Sequence, residues 1–389
     1  VAGPPRQITS KYYWENVSMS RSSKHPGPAM RPGLISVFSG FALSLVSTLA
    51  AAEYGLNFPK PVTAIAQEVY SLHMLIMMVC VGIGIVVFGA MFWSIVMHRK
   101  SRGHKAAKFH ESTTIEIIWT AIPFMILVGM AIPSTATLIK MEDTKNADLV
   151  IKVTGYQWKW KYEYMDQDIS FFSSLSTPRD QIDQHKAKVA RADMSKDYLL
   201  EVDNAVVIPT GKKVRFLLTA NDVIHSWWVP QLAVKKDAIP GFINETWTRV
   251  DEPGIYRGQC AELCGKDHGF MPIVVQVVSD DDFKKWVSVK KAETVASAAD
   301  VGKVWTKPDL MARGEKVYAQ CAACHGVTGA GIPGVFPSLK GGKITTGPVN
   351  GHIGMVLKGK PGTAMQAYAG QLNDADIAAV VTYERNAFG

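Results

Sequence analysis

Residues 258–271 read GQCAELCGKDHGFM. The run holds two thiols (Cys260 and Cys264), an imidazole (His268) and a thioether (Met271). A disulfide would use the cysteines and leave the other two without a reason. Zinc would accept the cysteines and the histidine but gains little from a thioether. Thiolate, imidazole and thioether together are the donor set that copper favours. The fold question is therefore which scaffold presents this loop.

The flanking sequence reads as β. Leu149, Ile151 and Val153 alternate with polar residues, and YQWKWKYEY (Tyr156 to Tyr164) sets aromatics against Gln157, Lys159, Lys161 and Glu163. Period two over that length predicts a strand with one aromatic and one solvated face. Further strands are expected at Tyr198–Asp203, Lys213–Ala220, Thr246–Asp251 and Pro272–Val278, with turns at Pro209-Thr210-Gly211 and Glu252-Pro253-Gly254. Many short strands with Gly/Pro turns indicate a sandwich or small barrel. His225, in DVIHSWWVP, follows another such run, and the polar stretch from Ser170 to Asp197 reads as a surface insertion.

Upstream the pattern is different. Leu72–Met97 and Ile115–Ile139 are long apolar runs, each at or beyond the roughly 20 residues that cross a bilayer. Their length and low charge argue against buried helices of a soluble core. The loop between them, HRKSRGHKAAKFH (His98 to His110), is basic, which places it in the cytoplasm and the rest of the chain outside. Leu34–Ala52, after Met30-Arg31, has the layout of a signal peptide. Within the spans, Glu116 stands near the start of the second, as a functional carboxylate or an interfacial one that reaches water. His73 reads as interfacial and Cys80 as a small apolar filler. The chain has 389 residues and a formal net charge of +8, concentrated in the N-terminal stretch and the basic loop. With no basic-aromatic array, nucleic acid is not an expected partner.

A strand-flanked loop of Cys, Cys, His and Met, with a distant His on the same scaffold, resembles a cupredoxin. Two cysteines at this spacing can bridge a pair of coppers, where a mononuclear blue-copper site needs one. The two-helix hairpin, YQWKWKYEY, HSWWVP, DAIPGF and GQCAELCGKDHGFMPIVV together resemble subunit II of the haem–copper cytochrome c oxidases over most of the chain. The resemblance implies a dinuclear copper A centre. Cys260 and Cys264 would bridge both ions, His225 and His268 would each bind one, Met271 would be a weak ligand, and the carbonyl of Glu262 would serve the other copper. It further implies that the Glu262 side chain binds magnesium at the border with subunit I. It makes Trp158 the electron-entry residue, although the bare sequence reads it as an aromatic in a packed strand, and it puts Glu116 at the mouth of a proton path.

Past a Lys/Ala-rich stretch read as linker (KKAETVASAADVGK, Lys290 to Lys303), Cys321-Ala322-Ala323-Cys324-His325 is the c-type haem attachment motif. Both thiols would bond the haem, with His325 axial. Met365, in KPGTAMQAY, is the expected second ligand, with Met355 and His352 as rivals. Asn373 reads as the N-cap of a last helix with Ile377, Val380 and Val381 on one face. This order resembles a class I cytochrome c domain, in which Pro337 would orient the proximal histidine. Met/His ligation raises a haem's potential. A fused cytochrome c is a departure from the plain subunit and resembles the caa-type branch. It puts direct entry at Trp158 in question, since a tethered haem raises the local concentration of donor. Basic residues outnumber acidic ones in this domain while the copper domain leans acidic, so electrostatic docking of the two is expected.

The expected architecture is a multidomain membrane protein: upstream segment 1–29, signal peptide 30–52, transmembrane hairpin 53–140, cupredoxin-like Greek-key β-barrel 141–289, linker 290–307 and all-α class I cytochrome c domain 308–389. The expected function is electron input to cytochrome c oxidase in a cell inner membrane. Electrons would pass from a cytochrome c-type donor through haem c and copper A to the haems of subunit I, for reduction of oxygen coupled to proton translocation. Subunit I, other oxidase subunits and membrane lipid are the expected partners. A membrane-anchored copper-delivery protein needs neither the haem motif nor Glu116. A nitrous oxide reductase would need histidines for a catalytic cluster, which are missing, and a quinol oxidase subunit lacks the copper ligands.

Overall fold

The computed structural model describes residues 57–105, 108, 110–178, 181–182, 197–298 and 302–389. The signal-like segment and the stretch before it lie outside these residues.

Helices α1 (Ala64–Met97) and α2 (Thr113–Met141) are the two apolar runs. At 34 and 29 residues they are about 51 and 44 Å long, more than the ~30 Å hydrocarbon core requires. Thr63 caps α1, its hydroxyl accepting from the Ala66 N–H. Lys140 on α2 reaches Glu68 on α1 at 2.7 Å, which ties the outer ends of the hairpin together. The same ends hold the next domain: Val62 N–H donates to Gln231 O, and Trp247 Nε1–H to Lys140 O.

Among the described residues ten strands follow: β1 (Leu149–Tyr156), β2 (Lys159–Tyr164), β3 (Ile169–Ser173), β4 (Val206–Pro209), β5 (Lys213–Ala220), β6 (His225–Val229), β7 (Val234–Ala238), β8 (Asn244–Arg249), β9 (Gly254–Cys260) and β10 (Pro272–Val278). They form two five-stranded sheets, ordered β3-β2-β1-β5-β8 and β4-β10-β9-β6-β7. Inward positions of both sheets carry the core: Ile151, Trp160, Tyr162, Phe216 and Trp227 are all fully buried. Each large aromatic removed from water contributes about 2–3 kcal/mol, and the polar tips of Trp227, Tyr162 and Tyr164 are matched, while the Trp160 Nε1–H is buried without a partner. Trp227 Nε1–H donates to Tyr162 OH at 3.1 Å, and Tyr164 OH donates to Val207 O at 2.8 Å across the sandwich.

Two expectations are corrected here. YQWKWKYEY is not one strand. Tyr156 pairs with Lys159 across a two-residue turn at Gln157–Trp158, so β1 and β2 form a hairpin with Trp158 at its tip. The alternation holds for Trp160, Tyr162 and Tyr164, which point inward, but Lys159 is buried as well. Tyr198–Asp203 is no strand either: Leu200 N–H closes a turn on Asp197 O, Leu199 has a φ of 63°, and Val202 alone bridges to Leu175. A left-handed residue breaks the extended run.

Helix α3 (Asp280–Ala298) opens with three aspartates at its positive end and packs Phe283 and Trp286 on Tyr164. It continues through the first nine residues of the stretch expected as linker, because Lys, Ala and Glu are good helix formers. The C-terminal domain consists of α4 (Lys307–His325), α5 (Lys343–Thr346), α6 (Val349–Lys358) and α7 (Asp374–Ala387). Thr306 and Asn373 cap α4 and α7. The two helices cross so closely at Gly314 that a Cβ there would meet Ala379 O at 2.2 Å. Val317, Tyr318, Ile377, Val380, Val381 and Phe388 fill the contact.

Candidate metal and haem centres

The copper-type donors converge. His225 begins β6, Cys260 ends β9, and Cys264, His268 and Met271 lie on the loop that leads into β10. Cys260 and Cys264 are free thiols with their sulfurs 3.8 Å apart. His225 Nδ1 lies 3.8 Å from Cys260 Sγ, and His268 Nδ1 lies 3.5 Å from Cys264 Sγ. The Glu262 carbonyl is 3.4 Å from Cys260 Sγ. Met271 is 1% exposed, and its carbonyl accepts from the Cys260 N–H. The Glu262 side chain is exposed.

Asp222, which the sequence reading missed, orients this set. Its Oδ1 accepts from His225 Nε2–H at 2.9 Å, since a carboxylate can only accept, and this leaves Nδ1 free to bind. Its Oδ2 accepts from the Gln157 N–H at 2.8 Å. Histidine ligands are commonly held by such a carboxylate. Burial pulls the His225 imidazole down, but the hydrogen bonds to Asp222 and Cys260 outweigh it and its pKa is raised. Contact with Cys264 and, against burial, the His225 imidazole hold the Cys260 thiol well below the ordinary range. The same contact, then burial, pushes Cys264 up. One thiolate thus forms readily and opposes the second. A pair of buried thiolates needs cations beside it, and the donor set fits copper.

The β1–β2 turn leans on this loop. Trp158 Nε1–H and Gln157 Nε2–H both donate to Cys264 O, at 3.1 and 2.8 Å. Gly265, with φ +113°, lets the loop pass: a Cβ there would lie 3.1 Å from the Gln157 amide and 3.2 Å from the Trp158 ring.

In the C-terminal domain, Cys321, Cys324, His325 and Met365 line a cavity of ≈ 1210 Å³. His325 Nδ1–H donates to Pro337 O at 2.9 Å, which leaves Nε2 free, as an axial histidine requires. Burial pushes the Cys321 thiol well up and raises the Tyr368 phenol. These residues fit a covalently held haem. His352 Nε2 is engaged by Glu384 at 2.7 Å, both buried, while Met355 lines the cavity as Met365 does. The opposite wall belongs to the copper domain: Gln157, Trp158, Lys159 and Phe270 line the same cavity. No feature of composition or spacing could have shown that juxtaposition. Glu116 is exposed in the first turn of α2.

Three family descriptions match successive parts of the chain. Residues 149–278 match the family described as cytochrome c oxidase subunit II, periplasmic domain, and residues 51–137 match its transmembrane domain. Residues 309–383 match a family described as cytochrome c oxidase, cbb3-type, subunit III. The chain is 44% identical over 237 residues to the probable cytochrome c oxidase subunit 2 of Rickettsia prowazekii, covering 60% of this chain and 72% of that one. It is 34% identical over 275 residues to the cytochrome c oxidase subunit 2 of Cereibacter sphaeroides, covering 66% of this chain and 91% of that one. Among solved structures, it is similar to the periplasmic domain of subunit II of the Bradyrhizobium japonicum cytochrome oxidase. There the identity is 42%, the coverage 39% of this chain and 98% of that one, and the TM-score 0.33.

Proposed function

The chain belongs to the cytochrome c oxidase subunit II family, with a cytochrome c domain fused at its C-terminus, and from that premise we propose how its residues carry electrons. It is a membrane subunit with a periplasmic C-terminal part, associated with subunit I of the oxidase. When bound, haem c and the copper pair each take up and release one electron without bond-making to a substrate.

In our reading Cys260 and Cys264 would be shared by the copper pair, His225 and His268 would each hold one ion through Nδ1, and Met271 and the Glu262 carbonyl would complete the donor set. His225 and Cys260 stand at strand ends and the barrel anchors both ends of the loop that carries the other donors, so oxidation state could change with little movement of ligands. Cys321 and Cys324 would tether the haem through their sulfurs, and His325 and Met365 would hold its iron.

One observation carries the route between them. Trp158 and Gln157 line the haem cavity and also donate to the carbonyl of Cys264. Trp158 would therefore stand between a haem in this cavity and Cys264, a residue that would hold copper, with a hydrogen bond to the latter's carbonyl. The entry tryptophan serves the tethered haem, and an external cytochrome c-type donor reduces the cytochrome domain. The exposed Glu262 carboxylate is the magnesium ligand toward subunit I, Glu116 opens a proton path into that subunit, and α1 and α2 lie in lipid of the inner membrane.

The test is copper EPR with metal and haem quantitation on the purified complex. A multi-line signal from one electron shared over two coppers, with covalent haem on this chain, is the expected result. A single-copper spectrum would overturn the bridged pair.

A further inference from the structure

The β1–β2 turn touches the cytochrome domain through two hydrogen bonds. Gln366 Nε2–H donates to Gln157 O at 2.7 Å, and Lys159 Nζ donates to Gln320 Oε1 at 2.7 Å. Neither is an ion pair, so these contacts are not the charge-to-charge docking that domain composition suggests. Lys159 is 6% exposed. Its ammonium stands 4.5 Å from the Phe172 ring of the copper domain and 5.3 Å from the Tyr368 ring of the cytochrome domain. Lysines are almost never buried this far unless paired, and here the oxygen and one of the two rings come from across the interface. Lys159 directly follows Trp158, and Gln320 directly precedes Cys321. A single contact therefore ties the tip of the turn to the haem-attachment motif. Burial pulls the lysine pKa down to about 8, against the raising influence of Cys321 and Asp203. Such a buried charge contributes register more than strength.

We propose that Lys159 is a positioning residue: seated on Gln320 and Tyr368, it sets the register in which the cytochrome domain docks over Trp158. Its effect on electron transfer rests on the reading above of the two centres as successive carriers, but the docking contact itself does not. Gln320→Leu leaves the ammonium buried without an oxygen, which is the costly way to break such a contact. Lys159→Met keeps the apolar stem and removes the charge. Gln320→Glu keeps an oxygen in place.

The experiment uses the full chain in its complex and reads amide hydrogen exchange at residues 157–160 and 319–321 beside the haem-to-copper transfer rate. In Gln320→Leu, exchange rises and transfer slows by about tenfold, as loss of one charge-assisted hydrogen bond implies. Haem absorption and copper EPR stay unchanged. Adding Lys159→Met to Gln320→Leu brings exchange back toward the wild type, because the stranded charge is gone, while transfer stays slow, because the contact that sets the register is still missing. Gln320→Glu exchanges like the wild type. Wild-type exchange in Gln320→Leu overturns the proposal, as does a double variant that transfers at the wild-type rate, or Gln320→Glu exchanging as fast as Gln320→Leu. A wild-type complex with no haem-to-copper transfer overturns the relay reading instead, and exchange still decides the docking contact.

Discussion

The copper domain and the cytochrome domain solve the problem of holding a redox centre in opposite ways. In the first, the donors stand at the ends of β6 and β9 and on the loop into β10, with neighbouring donors 3.4–3.8 Å apart beside the barrel's aromatic core. In the second, the donors line a cavity of ≈ 1210 Å³ and the core beside it is small, essentially the crossing of α4 on α7. A metal ion is a minor addition to a finished fold, whereas a haem is a large part of the core of the domain that carries it. The difference teaches where each domain's stability resides.

Removing the haem should give the largest separation of the two. In a Cys321→Ser/Cys324→Ser chain the cytochrome domain forfeits the apolar filling of its cavity. That is expected to remove stability comparable to a small domain's whole margin, about 5 kcal/mol or more. Circular dichroism should show α4 and α7 melting while the copper EPR signal persists. Loss of both together would erase the comparison. The converse substitution, Trp227→Ala, opens a cavity in a fully buried site of the barrel and is expected to cost about 3–5 kcal/mol. Denaturant midpoints followed by copper absorbance should fall while the haem spectrum is unchanged.

Gly155→Ala sharpens the comparison at the metal. A Cβ there would lie 2.8 Å from Cδ2 of the buried His225 ring, so the ring must move. The expected cost is about 1–3 kcal/mol, with an altered copper EPR signal and an intact haem spectrum. The smallest effect concerns the border between domains. Burial pulls the pKa of seated Lys159 down to about 8, against 10.5 for a free lysine. Between these values the undocked state, with Lys159 in water, binds more protons than the docked one. Docking is therefore favoured as pH rises from 8 toward 10.5, and below 8 the penalty is full and flat. Small-angle scattering across that range should show the wild type compacting and Lys159→Met indifferent.

Much of this was legible in the sequence for identifiable reasons. Two apolar runs of bilayer length, a CxxCH motif and a Cys-Cys-His-Met loop each carry their chemistry in composition and spacing. Asn373 and the Ile377, Val380, Val381 face foretold α7 because capping and amphipathicity are local. What stayed hidden was tertiary. The turn at Gln157–Trp158 has no Gly, Pro, Asn or Asp to mark it. It is held by Asp222 and by the Cys264 carbonyl, which lie 65 and 107 residues from Gln157. Lys159 read as a solvated position because its burial comes from another domain. The helical course of residues 290–298 was missed because the composition of a flexible linker and that of a helix overlap.

The central claim is that an electron held on the cytochrome domain passes within the same chain to the copper pair beside Trp158. Photochemical injection of one electron into the haem of the intact complex, with both centres followed optically, tests it most directly. Haem reoxidation should match copper reduction in time, at a rate independent of protein concentration. A haem that stays reduced, or a rate that scales with concentration, would contradict the account.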